Sequence, residues 1–156
     1  MVALDKDLTK LNLVKGQSEL QDVVHKIEFI NGNCMQIKSI KADMVYIDPL
    51  DAGATPEHSS FDDIKTGLSG LISKALTCSN GCIAIKLPVD TNIEELPELF
   101  NQAVSEDNKY IMSNREYVNL FSRCFERFCI EIEEIINTSQ DVENIIVYFG
   151  DCSSVK

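Results

Sequence analysis

No run of about 18 apolar residues occurs in the 156-residue chain, so nothing in it is built to span a bilayer as a helix. Basic residues are scarce: 14 Lys and Arg stand against 25 Asp and Glu, a net charge of −11. Holding nucleic acid through its phosphates needs clustered Lys and Arg to displace counterions. This balance excludes easy non-specific RNA binding and any DNA-binding role, while leaving room for one nucleotide held in a pocket. Histidine is limited to His25 and His58, and neither stands near a Ser or Cys nucleophile motif, so no hydrolase triad is suggested. The six cysteines include one close pair, Cys78 and Cys82, where zinc usually needs two such pairs. No metal site is expected, and the thiols read as small apolar core residues of a reducing compartment. The opening MVALDKDLTKL carries acidic residues where a signal peptide has basic and then apolar ones, which points to an intracellular protein. Internal repeats and low-complexity linkers are absent.

What remains is ordinary globular material, 44% hydrophobic and 25% charged, of a length suited to one domain over residues 1–156. The pattern alternates. A short apolar run, Val2–Leu4, ends at Asp5, and helical spacing follows from Leu8 to Leu20 with Leu8, Leu11, Leu13 and Val14 as its apolar stripe. Lys26–Ile30 alternates as a strand and closes on Asn31-Gly32-Asn33. Asp43–Ile47 is a continuous apolar run of the kind buried on both faces of a parallel sheet, and it ends in Asp48-Pro49. A helix is predicted from Ser60-Phe61 to about Leu76, a break at Asn80-Gly81, and a buried strand over Cys82–Leu87 stopped by Pro88. An acidic helix over Ile93–Ala103 and a longer one over Ser113–Arg127 precede an antiparallel pair. That pair runs through Phe128, Ile130 and Ile132, turns at Thr138–Val142, and returns over Asn144–Phe149. Strands alternating with helices imply a layered α/β sheet with parallel strands. A parallel α/β sheet with an antiparallel hairpin at its end is typical of the Rossmann-like class I methyltransferase sheet, which is the expected fold class.

Open α/β sheets bind ligands beyond the carboxyl ends of their strands. Three strand ends therefore hold the candidate chemistry. Asp5 can accept hydrogen bonds from both hydroxyls of a ribose. Asn33 can accept from an exocyclic amine of adenine, with the Cys34 backbone meeting the ring. Asp48-Pro49 can hold an amine with its lone pair aimed at a methyl donor. Taken singly, each is also a common turn or cap signal.

In order along the chain stand Val2-Ala-Leu-Asp-Lys-Asp7, Lys26-Ile-Glu-Phe-Ile-Asn-Gly-Asn33 and Lys41-Ala-Asp-Met-Val-Tyr-Ile-Asp-Pro-Leu-Asp-Ala-Gly53. Phe61-Asp62, Ile85-Lys-Leu-Pro88 and Val147-Tyr-Phe-Gly-Asp151 follow. Across roughly residues 2–103 and 129–151 this text resembles the trimethylguanosine synthases, which hypermethylate RNA caps. The resemblance implies S-adenosyl-L-methionine as cofactor and 7-methylguanosine-capped RNA as partner. It also implies methyl transfer to the exocyclic N2 of the cap guanine and a nuclear location. By resemblance Asp5, Asn33 and Cys34 bind the cofactor, Asp48 and Pro49 are catalytic, and Asp51 and Phe61 meet the substrate.

The sequence also departs from the family. The family's PPW becomes Pro49-Leu50-Asp51, removing the tryptophan that stacks on the cationic base, a contact worth roughly 1–3 kcal/mol. Tyr46 and Phe61 are the nearby aromatics that could replace it. The aspartate of the family's G-D-F is Asn33, a mild change because an amide oxygen also accepts. The first strand, Gly-rich turn and helix of the family have no counterpart here, so the expectation is a truncated domain. Its sheet would close up, stay open, or self-associate through an open edge. The alternative function is then a catalytically inactive pseudo-methyltransferase or fragment acting as a binding or scaffold protein.

Overall fold

The computed structural model describes residues 1–37, 40–49, 61–106, 130–136 and 141–150. The chain divides into two compact units, Met1–Ile40 and Lys41–Lys156.

In the first unit, β1 (Val2–Asp5) and β2 (Glu28–Asn31) are parallel neighbours, with Asp5 opposite Asn31. Parallel pairing needs a crossover, and α1 (Leu8–Leu20) supplies it. Asp7 starts this helix as its N-cap, its carboxylate accepting from the Thr9 and Lys10 amides. That bond to Thr9, chiefly, holds the Asp7 carboxyl below its ordinary value. The predicted apolar stripe is only partly used. Leu11 is buried, while Leu8, Leu13 and Val14 are exposed, although Leu8 and Val14, three positions either side of Leu11, share its side of the helix. The predicted strand over Lys26–Ile30 begins later than expected, since a 3-10 turn occupies Val24–Lys26.

In the second unit, β3 (Ala42–Ile47), β4 (Ser79–Pro88), β5 (Ile130–Ile136) and β6 (Val142–Gly150) form one sheet in the order β3-β4-β6-β5. β3 and β4 are parallel, and β6 is antiparallel to both β4 and β5, as the sequence pattern requires of a terminal hairpin. The helix α2 (Phe61–Cys78) crosses between β3 and β4, and α3 (Leu96–Glu106) follows β4 after a 3-10 turn over Ile93–Glu95. Asn80-Gly81 does not end an element: both lie inside β4, at the irregularity where the pairing to β3 shifts register between Ser79 and Cys82. Among the described residues, six strands form two separately hydrogen-bonded sheets. The expected helix over Ser113–Arg127 lies outside the described residues.

Period-2 alternation gives the four-stranded sheet two unlike faces. Ile83, Ile85 and Leu87 of β4 and Ile145, Val147 and Phe149 of β6 are buried in one core with Leu68, Ile72, Leu96 and Phe100 of the two helices. On α2 the stripe Phe61, Ile64, Leu68, Ile72 and Ala75 has the spacing of one buried helix face. Phe100 stacks on Phe149 with ring centroids 4.9 Å apart. β3 is less buried than its apolar run suggests; among the described residues of its sheet it pairs with β4 alone. Cys34 and Cys78 carry free thiols, whereas Cys82, buried in β4, is disulfide-bonded. This corrects the expectation of thiols alone.

Candidate functional site

The carboxyl end of the β1–β2 pair gathers the first set of candidate residues. Asp5 closes β1, and its carboxylate accepts the Asp7 amide at 2.8 Å, forming the turn that leads into α1. Opposite it, Asn31 donates through Nδ2 to the carbonyls of Asp5 and Lys6 at 3.1 and 3.0 Å. The Gly32 amide adds a bond to the Asp5 carbonyl. These bonds bring residues about 26 positions apart in sequence to one end of the pair. Asn33 caps a 3-10 turn over Cys34–Gln36, its Oδ1 accepting from the Met35 amide at 2.9 Å. Cys34 opens that turn, so its N–H has no partner within the helix. Both candidate acceptors retain capacity, since a carboxylate offers about four lone-pair positions and an amide oxygen two. The donor set therefore fits a nucleoside: oxygens at a strand end for hydroxyls, and an acceptor beside a backbone donor for a base edge. Sequence reasoning missed Asn31, which was read as a turn residue; its place directly after the last alternating residue was the available signal.

The second set lies at the carboxyl end of β3. Asp48 and Pro49 follow Ile47 directly, with Asp48 exposed and Pro49 half-buried. The Asp48 Oδ2 is 3.2 Å from Nζ of Lys86 on β4. This pairing follows from register, because Ile47 faces Ile85 and the next position on each strand points to the opposite side of the sheet from the core. That second face mixes polar side chains with the apolar Cys82, Ala84 and Ile146. Tyr46, Ala84, Tyr148 and Glu131 lie in one row across the strands, and Lys86, Ile146 and Glu133 in the next. Tyr148 donates its hydroxyl to Glu133 at 2.9 Å. Tyr46 is 51% exposed. Burial of the phenol, then the Asp48 carboxylate and Tyr148, push its pKa above the ordinary 10.0.

Asp51 lies outside the described residues. Phe61 does not share the Tyr46 face: it is 3% exposed at the start of α2, inside the core, with the Lys65 ammonium 5.9 Å above its ring. Its amide donates to Asp90, which follows β4. Lys86, Tyr148 and Glu133 were not singled out from sequence. A lysine alternating with isoleucines inside an apolar strand was the signal for Lys86.

No protein-family model matches the sequence, and no curated protein matches it. Solved structures do resemble it. The magnesium protoporphyrin IX methyltransferase of Synechocystis PCC 6803, solved with bound SAM, matches over 96% of this chain at 9% identity with a TM-score of 0.55. A Bacillus cereus O-methyltransferase in complex with SAH matches over 96% at 14% identity with a TM-score of 0.50. The chain spans 58% and 62% of those two proteins' lengths. The fold is that of the Rossmann-like class I methyltransferases, a mixed α/β architecture ending in an antiparallel hairpin.

Proposed function

We propose that this chain is an S-adenosyl-L-methionine-dependent methyltransferase domain acting on the exocyclic N2 of a 7-methylguanosine RNA cap, in the nucleus. What supports the reading is found in each unit by itself: in the first, Asp5, Asn33 and Cys34 at the carboxyl end of the β1–β2 pair, and in the second, Asp48-Pro49 at the carboxyl end of β3. In this reading Asp5 accepts from the ribose hydroxyls, Asn33 from the adenine amine, and the Cys34 amide donates to the ring. When bound, the cofactor supplies a methyl group carried on sulfonium. Asp48 and the Pro49 carbonyl accept the two amine hydrogens of guanine, fixing the direction of its lone pair. Asp48, with its side chain 41% exposed, passes the proton released on methylation to water. The chief contributions are positioning and electrostatics. Asp51 attracts the cationic base. Tyr46, rather than the core-bound Phe61, offers it an accessible ring two residues before Asp48 and so on the same face of β3.

A second reading, a pseudo-methyltransferase that binds without catalysis, is favoured by one observation: the Asp5 carboxylate already serves the turn into α1. Calorimetric titration with S-adenosylhomocysteine separates the two. The enzyme reading expects micromolar binding that Asp5→Ala weakens and Asp48→Asn leaves intact, with methyl transfer to a 7-methylguanosine cap analogue lost in Asp48→Asn. A folded chain that binds no S-adenosylhomocysteine refutes it.

A further inference from the structure

Lys86 stands at a position the fold gives no packing reason to make charged. Its chain neighbours Ile85 and Leu87 are fully buried, and β4 lies between β3 and β6. An apolar residue there would avoid ordering a long side chain and partly desolvating its charge. Lysine instead reaches across to the one strand end that carries Asp48. Among the described residues of the four strands, it is the only cation on this second face.

Asp48 itself lies just beyond β3, and among the described residues its side chain is held by Lys86 of β4. An exposed carboxylate in that position exchanges among rotamers unless something holds it. The Lys86 side chain is less exposed than Asp48, 26% against 41%, and springs from the most buried strand of the sheet. Of the two partners, the lysine is the one rooted in the sheet interior.

We infer that Lys86 is a positioning residue for Asp48: its ammonium holds Oδ2 and leaves Oδ1 as the oxygen that accepts from the target amine. The inference rests on the methyltransferase reading and deepens it at the same site. A lysine ammonium is a point charge with three donors, so it restrains the carboxylate without competing for the second oxygen.

The test uses the full chain carrying Lys86→Met, Lys86→Gln, Lys86→Arg and Asp48→Asn, each shown folded by circular dichroism. Should the methionine variant fail to fold, the glutamine variant, which keeps a donor but no charge, takes its place. The probes are S-adenosylhomocysteine for binding and a 7-methylguanosine cap analogue for turnover. Loss of Lys86 should leave S-adenosylhomocysteine affinity unchanged and lower kcat roughly tenfold to a hundredfold, the scale of a displaced reacting group. Lys86→Arg should restore most of the rate. In the Asp48→Asn background, loss of Lys86 should cost nothing further. An active wild type whose kcat survives Lys86→Met, or a Lys86 effect that persists without Asp48, overturns this inference alone. A wild type that neither binds S-adenosylhomocysteine nor transfers methyl overturns the parent reading and this one with it.

Discussion

The stack of Phe100 on Phe149 should carry a measurable share of the second unit's stability. Phe149 is 1% exposed, and its ring lies 4.9 Å from that of Phe100 at an interplanar angle of 17°. Phe149→Ala removes a buried ring and leaves a cavity bounded by β4 and α3, which sets the expected cost at about 3–5 kcal/mol. Phe100→Ala removes the other ring and should cost a similar amount. The rings also interact beyond their burial by about 0.5–1.5 kcal/mol. The two substitutions open one shared cavity, so the double variant should cost less than the sum of the singles by about 1 kcal/mol or more. Since folded domains are stable by only about 5–15 kcal/mol, each single variant should fold and the double should stand near the limit. The sequence has no tryptophan, so urea unfolding is best followed by far-ultraviolet circular dichroism. Midpoints should shift at constant m-value. A Phe149→Ala cost below about 1 kcal/mol, or full additivity of the pair, would refute this account of the core.

Other outcomes follow from the same contacts. Lys65 and Glu95 form an ion pair. Hydrogen bonds from Lys65 first and then Asn92 lower the Glu95 pKa below its ordinary 4.5, so its contribution is full above that value and fades as pH falls through the lowered one. The same bond raises Lys65 above 10.5, so that its contribution is full below 10.5 and lost as pH rises through the raised value. Carboxyl NMR should find Glu95 titrating below its ordinary range in the wild type and moving up in Lys65→Met; no movement would count against the pair. Asp48→Asn should bring the Tyr46 phenol down toward 10.0, read as the wild-type minus Tyr46→Phe difference in ultraviolet titration, because one of the two charges raising it is gone. Ile146→Ala, at a partly buried position on the second face, should cost less than Val147→Ala beside it in the core, as paired urea titrations would show.

Much of this chain was legible in its sequence. Local patterns sufficed for α1, whose limits Leu8 and Leu20 match the helical spacing, and for the core strands, whose apolar alternation is visible over Asn144–Phe149. Chain order gave the parallel crossovers, and through them the fact that Asp5, Asn33 and Asp48 fall at carboxyl ends. Burial was less legible, because periodicity says which residues share a face and not what covers it. Leu13 and Val14 are exposed, and Phe61, read as a substrate contact, sits in the core. Asn80-Gly81 reads as a turn by composition, yet it lies within β4, where the ladder to β3 shifts register between Ser79 and Cys82. The partners of the candidate residues were invisible altogether. Lys86 lies 38 positions from Asp48, and Tyr148 lies 15 from Glu133. The sequence by itself determined the elements and the ends where polar residues collect, since those depend on neighbours a few positions away. Only the tertiary structure decided which charge faces which, because strand register is set by the packing of the whole sheet.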